Sequence, residues 1–188
     1  MTFTKAIGIA FGLVAAVPFA AEAAAPKCEV DRPVVFAGLD WDSNAFHNAV
    51  ARFILAHGYG CGSEEIPGST LPLLAGMTRG DIDVTMEIWA DNFPEAWAAA
   101  VKDGKAVELG VNFPDAVQGW FVPRYLVEGP GAPAPGLKSV ADLPKYKDLF
   151  RDPEEPDKGR FYNGIAGWGA EVVSTKKLKA YKLERDFT

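Results

Sequence analysis

Tryptophan placement is the strongest chemical signal in this sequence. Four of the five tryptophans lie where predicted strands end or where the chain leaves a strand: Trp41, Trp89, Trp120 and Trp168. Indole rings that converge form an electron-rich box, and quaternary ammonium groups bind such boxes by cation–π contacts of about 0.5–2 kcal/mol per ring. Core packing is the alternative for each ring, and we accept it for Trp97, which lies mid-helix at the spacing of Val101. The pattern therefore predicts a cation site.

Signatures of enzymes and cofactors are absent from the sequence. It has no Gly-x-Ser-x-Gly elbow, no phosphate loop, no dinucleotide glycine motif after a strand and no His-Glu-x-x-His. The two histidines, His47 and His57, do not share a helix face at ligand spacing. We therefore expect a binding protein with no catalytic residues, no cofactor and no metal.

Composition and charge place the chain among folded, acidic proteins. Of its 188 residues, 48% are hydrophobic and 23% charged, which is enough apolar material for a core. The 19 basic and 25 acidic residues give a net charge of −6, which argues against a nucleic-acid partner.

The N-terminus has the form of a secretory signal peptide, residues 1–23. Lys5 precedes the apolar run 6–21, and Ala-Glu-Ala at 21–23 suits cleavage. The run is too short and too rich in Ala and Gly for a membrane span. Cys28 does not directly follow the cleavage site, so a lipid anchor is not expected. We therefore predict an exported, periplasmic protein that starts near Ala24.

Two cysteines, Cys28 and Cys61, make up the whole thiol content. In an oxidising compartment an isolated pair is usually a disulfide. Two free buried thiols, or metal ligation, are the alternatives, and no Cys-x-x-Cys or histidine pair supports the metal.

Alternating patterns predict an α/β sheet that positions the tryptophans. Short β-rich runs at 33–39, 61–67, 82–88 and 106–109 alternate with helical spacing at 43–57, 71–78 and 92–104. After an extended run at 117–127, helices are predicted at 139–149 and 170–181, with a strand at 161–166 between them. Ligands of open α/β sheets bind at the carboxyl ends of the strands, where these tryptophans lie.

Three segments resemble a known family. Gly-Leu-Asp-Trp-Asp-Ser at 38–43, Gly-Asp-Ile-Asp-Val with Glu-Ile-Trp at 80–89, and Gly-Trp-Phe-Val-Pro at 119–123 resemble the substrate-binding proteins of ABC importers for glycine betaine, proline betaine and choline. The likeness covers nearly all of the chain after the leader. It implies a type II periplasmic-binding-protein fold, in which two α/β lobes close like a clamshell on a small quaternary ammonium ligand, and permease subunits in the inner membrane as partners.

The resemblance also implies site residues. Trp41 and Trp89 match aromatic positions of the first lobe, with Asp42 and Ser43 beside them, and Trp120 falls near a position where relatives also use an aromatic residue. Trp168 is expected at the site from its place after a predicted strand. Gly68, Ser69 and Thr70 match a loop that contacts a ligand carboxylate in some relatives. Glu87 is an additional carboxylate, and we take it as a hypothesis that it favours choline over a zwitterionic betaine.

The same resemblance implies a domain division and leaves alternatives open. Lobe I is expected at 24–115 and the beginning of an incomplete, C-terminally truncated lobe II at 116–188. A binding protein for another small solute, such as an amino acid, is one alternative, although Arg32, Arg52 and Arg79 are poorly placed for the usual clamp. A truncated fragment that binds nothing is the other.

Overall fold

The structure, a computed structural model, describes residues 27–188. The predicted signal peptide, residues 1–23, lies outside that range. The described range contains these strands and α-helices: β1 Val34–Leu39, α1 Asp42–Tyr59, β2 Ser63–Gly68, α2 Thr70–Arg79, α3 Pro94–Lys102, α4 Arg124–Val127 and α5 Gly169–Ala180. It also contains three 3-10 segments, Ala90–Asn92, Val140–Phe150 and Leu183–Arg185.

The sheet is small and parallel. β1 and β2 pair in register from Val34↔Ser63 to Leu39↔Gly68, with α1 as the crossover between them. The segment predicted as a third strand, 82–88, lies on the other side of β1 but joins it only through a parallel bridge at Val84. The strand predicted over 82–88 is therefore reduced to a single bridge.

Two buried asparagines of α1 replace the rest of the third strand. In a continued parallel ladder, the carbonyl of Ala37 and the N–H of Leu39 would pair with the departing segment. Instead, Asn48 Nδ2 donates to the Ala37 carbonyl at 2.9 Å, and the Leu39 N–H donates to Asn44 Oδ1 at 3.0 Å. Because α1 satisfies these main-chain groups, residues 85–89 are free to turn away from the sheet.

The buried side of helix α1 carries these amides, whereas several of its apolar side chains lie on the exposed side. Asn44 and Asn48 are fully buried, whereas Phe46 and Phe53 are 65% and 64% exposed. The predicted end at Gly58 is wrong by two residues, because Gly60 adopts the left-handed conformation (φ 67°) that ends the helix.

The core lies between the sheet and α2. Ala37 and Leu39 of β1 pack with Leu73 of α2 and with Ile82, and all four are at most 5% exposed. Trp41 is partly buried against this cluster. The core therefore reaches the carboxyl end of β1 and supports the first tryptophan of the predicted box.

The later predictions of regular structure hold only in part. Residues 106–109 have no strand partner in the described range, and Leu109 is 95% exposed. The bridges nearest to 161–166 lie at Gly159, and within the segment the Phe161 N–H donates to the Thr188 carbonyl at 2.9 Å, but the predicted strand does not form. The predicted helix at 139–149 is a 3-10 segment, because Pro144 inside it has no N–H to donate.

A disulfide joins Cys28 to Cys61, with the two Cα atoms 4.7 Å apart. It ties the chain before β1 to the start of β2. Within residues 27–188 no helix has the length and apolar character that crossing a membrane requires. The predicted α/β class is confirmed, whereas the two-lobed clamshell stays a prediction.

Candidate functional site

The candidate site lies at the carboxyl edge of the sheet. β1 ends at Leu39 and leads directly into Trp41, while the parallel segment beside it leads through Glu87 to Trp89. Parallel neighbours bring their carboxyl ends to one edge. The two tryptophans expected from the first lobe therefore lie at the same end of the molecule.

Glu87 connects these two tryptophans. Its side chain is almost completely buried, and its Oε2 accepts the indole N–H of Trp41 at 2.8 Å and that of Trp89 at 3.2 Å. Its Oε1 lies 3.0 Å from Nδ1 of His47, on α1. The Thr85 hydroxyl donates to the Glu87 carbonyl at 2.9 Å and holds the turn that places this carboxylate.

Trp168 approaches the same edge from the far end of the sequence. Its ring meets Trp41 edge-to-face, with centroids 5.3 Å apart. Its indole N–H donates to Asp40 Oδ1 at 2.5 Å. The structure thus brings three of the four predicted tryptophans into one cluster.

The fourth, Trp120, lies elsewhere. Its indole N–H donates to the Ser174 hydroxyl of α5 at 3.0 Å, and its ring packs edge-on against Phe161 at 4.8 Å and Tyr181 at 6.5 Å. These contacts satisfy both its polar and its apolar surface. The structure therefore places Trp120 in the packing of the C-terminal segment, as the core-packing alternative expects.

An open cleft of about 450 Å³ adjoins the cluster. Trp89 and Ser43 line it together with a loop that the sequence pattern did not indicate, 112–116. Within that loop, Phe113 stacks on Trp89, with centroids 6.3 Å apart and planes 17° apart, and also lies 5.4 Å from the His47 ring. The aromatic side chain of Phe113 was the only feature of the sequence that could have indicated this loop. Phe113 does not directly follow a predicted strand.

The remaining predicted site residues lie at the N-terminal ends of α1 and α2. Asp42 begins α1 and is exposed. Gly68 ends β2, Ser69 caps α2 without a side-chain hydrogen bond, and Thr70 is 6% exposed against the core. Thr70 therefore presents little of its hydroxyl to a ligand.

Ser69 instead contacts the loop that carries Trp168. At Gly167, φ is +94°, and a Cβ built there would lie 3.0 Å from both Cβ and Oγ of Ser69. Only glycine fits both this conformation and this approach. The Gly68–Thr70 loop thus supports the position of Trp168.

The charges at the cluster are negative. Among the side chains of residues 27–188, the Glu87 carboxylate contacts Nδ1 of His47 at 3.0 Å, and no lysine or arginine lies within salt-bridge distance of it. Asp40 and Asp115 add carboxylates at the indole cluster and at the cleft. Arg32 lies at the opposite end of β1, where its guanidinium pairs with Asp83 at 2.6 Å and lowers the pKa of that carboxyl. The cluster therefore attracts cations.

No group of side chains within 27–188 has the arrangement of a metal site. Aromatic rings and carboxylates thus lie together at the carboxyl edge of a parallel sheet, the edge at which open α/β sheets bind their ligands.

The sequence matches the family described as the substrate-binding domain of ABC-type glycine betaine transport systems over residues 32–188. The chain belongs to this family. The resemblance found from the tryptophan segments is thereby confirmed.

Proposed function

We propose that this domain binds a quaternary ammonium compound (glycine betaine, proline betaine or choline) with its quaternary ammonium head against the indole cluster. One observation carries the proposal: the indole N–H groups of Trp41 and Trp89 converge on one buried carboxylate at the sheet edge. Both rings are half-buried, and we take their exposed surface as the part that receives the ligand. The family match supports the same ligand class.

The chemistry of the site suits a group that cannot donate hydrogen bonds. A trimethylammonium head has no N–H, so it forms no N–H hydrogen bond with a carbonyl or carboxylate. It does gain from aromatic faces, because their negative quadrupole attracts the delocalised positive charge. Trp41, Trp89 and Trp168 supply such faces, and Phe113 extends the aromatic surface into the cleft.

Within this ligand class, we infer a preference for choline over glycine betaine. Glu87 is buried without a lysine or arginine partner among the described residues, and Asp115 lines the cleft. A ligand with its own carboxylate is repelled by these charges, whereas choline is not. A calorimetric titration that shows betaine binding and no choline binding would overturn this part of the proposal.

Transport, rather than reaction, is the proposed use of the site. We infer that residues 24–115 and 116–188 belong to two lobes and that ligand contacts stabilise their closed arrangement, which a permease recognises. The hydrogen bond between Trp168 and Asp40 joins a residue of each range. The disulfide supports a place outside the cytoplasm, where such bonds persist.

Fluorescence titration with choline chloride and glycine betaine tests the proposal. We expect ligand to change the tryptophan emission of the parent protein. Trp41→Ala and Trp89→Ala should each weaken binding at least about fivefold, which corresponds to about 1 kcal/mol of lost cation–π contact.

Trp120→Ala is the matched control, because that indole is bonded to Ser174, away from the cluster. It should titrate like the parent protein. If the variants at Trp41 and Trp89 do the same, the indole cluster is not the binding site.

A further inference from the structure

The burial and hydrogen bonds of Glu87 leave its carboxylate no surface for direct contact with a ligand. It is 4% exposed, and both of its carboxylate oxygens already have partners. Its Oε2 serves two indoles at once, and its Oε1 faces His47 of α1. The carboxylate is therefore closed to a ligand, and it contacts Trp41, Trp89 and His47.

A shared acceptor fixes geometry more strongly than two separate acceptors would. Trp41 leaves β1 and Trp89 leaves the neighbouring segment, so nothing in the backbone sets the angle between their rings. With both N–H groups directed at one oxygen, the N–H edges of the two rings are fixed relative to each other. The contact with His47 fixes the carboxylate in turn, since it joins Oε1 to the helix that crosses over the sheet.

We propose that Glu87 is the positioning residue of the cation site: it binds no ligand itself and holds Trp41 and Trp89 in the arrangement that receives the cation. This inference rests on the proposed function for the identity of the ligand. Its structural content, that one carboxylate orders two indoles, does not depend on any ligand.

Two substitutions separate position from charge. Glu87→Gln keeps an oxygen that can accept both indole N–H groups and an amide that can face His47, but it removes the charge. Glu87→Leu has similar bulk and offers no acceptor. If Glu87 had only a structural role, the changes in indole order and in binding would depend only on the stability of each variant. Leu183→Ala, which truncates a core residue that is 1% exposed, therefore serves as a destabilised control.

The first measurement uses the ligand-free protein. Near-ultraviolet circular dichroism reports the asymmetry of fixed indoles, and acrylamide quenching reports their accessibility. We expect Glu87→Leu to lose most of the indole dichroism and to be quenched more readily, whereas Glu87→Gln and Leu183→Ala resemble the parent. Parent-like dichroism and quenching in Glu87→Leu would overturn the inference.

The second measurement is a choline chloride titration at a temperature where all variants are folded. Glu87→Leu should bind at least about tenfold more weakly, and Glu87→Gln within about threefold of the parent. Equal losses in both variants would assign the effect to charge and overturn positioning. If the parent binds neither choline nor glycine betaine, the proposed function fails, while the ligand-free comparison still decides the role of Glu87.

A further variant covers the case in which Glu87→Leu does not fold. Trp89→Phe keeps an aromatic ring but cannot donate to Glu87. Choline binding should weaken at least about fivefold although the ring remains, and unchanged binding would contradict the positioning role.

Discussion

Gly167 offers the sharpest test of how the Trp168 loop is seated. An alanine there must adopt φ near +94° and place its Cβ 3.0 Å from Cβ and Oγ of Ser69. The left-handed backbone costs an L-residue about 1–2 kcal/mol. Crowding in a packed position adds about 1–3 kcal/mol. We therefore expect Gly167→Ala to lower the free energy of unfolding by about 2–5 kcal/mol.

Gly131 separates the two contributions. It also has a positive φ, +77°, but a Cβ there would meet nothing within 4 Å. Gly131→Ala should cost only the backbone part, about 1–2 kcal/mol. With a urea dependence of about 2 kcal/mol per molar, the midpoint of Gly167→Ala should lie about 0.5–1.5 M below that of Gly131→Ala.

Relief by a second substitution completes the test. Ser69→Gly removes both atoms that the new Cβ would meet, so it should recover the crowding part of the loss in the double variant. If Gly167→Ala unfolds at the same urea concentration as Gly131→Ala, or if Ser69→Gly recovers nothing, the close approach of the two loops does not exist in solution.

Acid and reduction should each weaken the fold. The Arg160 guanidinium and the Thr188 hydroxyl lower the pKa of Asp152, and Lys145 and Ser139 lower that of Asp142 to about 2. A carboxyl whose pKa is lowered in the folded state stabilises the fold at pH values above its unfolded pKa of about 4, and this stabilisation is lost as the pH falls below that value. Thermal unfolding between pH 6 and pH 2.5 should show the loss of stability. The loss should be smaller in Asp152→Asn than in the exposed-site control Asp148→Asn. Replacing Cys28 and Cys61 by serine frees a loop with a sequence separation of 33 and should cost about 3–4 kcal/mol, measured by urea unfolding. A reductant should reproduce that loss in the parent and leave the double variant unchanged; an effect on both would point to another cause.

The first half of the chain could be predicted largely from its pattern. β1, α1, β2 and α2 follow hydrophobic runs and glycine stops, and tryptophans directly after two of the runs indicate the site edge. Such local signals are strong because each segment meets its partner across a short crossover.

The details that shape the site could not be predicted in this way. Asn44 and Asn48 lie among apolar residues of an amphipathic helix, and nothing in their spacing shows that they bond to β1 and shorten the third strand. The contacts of Phe113 with Trp89 and of Trp120 with Ser174 could not be predicted either, because each joins residues that lie far apart in the chain. Glu87 was predicted as a ligand-facing charge, and only the structure shows the indoles that enclose it.

The bond between Asp40 and Trp168 also has a consequence for the order of folding. It closes a sequence separation of 128 residues, whereas the disulfide and the β1–β2 pairing lie within a stretch of about 40 residues. Contacts of such long range form late and slowly, because the chain loses entropy before they repay it. A newly made chain should therefore complete its cross-linked α/β unit first and the aromatic cluster last, so that ligand added during refolding would meet a chain that is folded but not yet competent to bind.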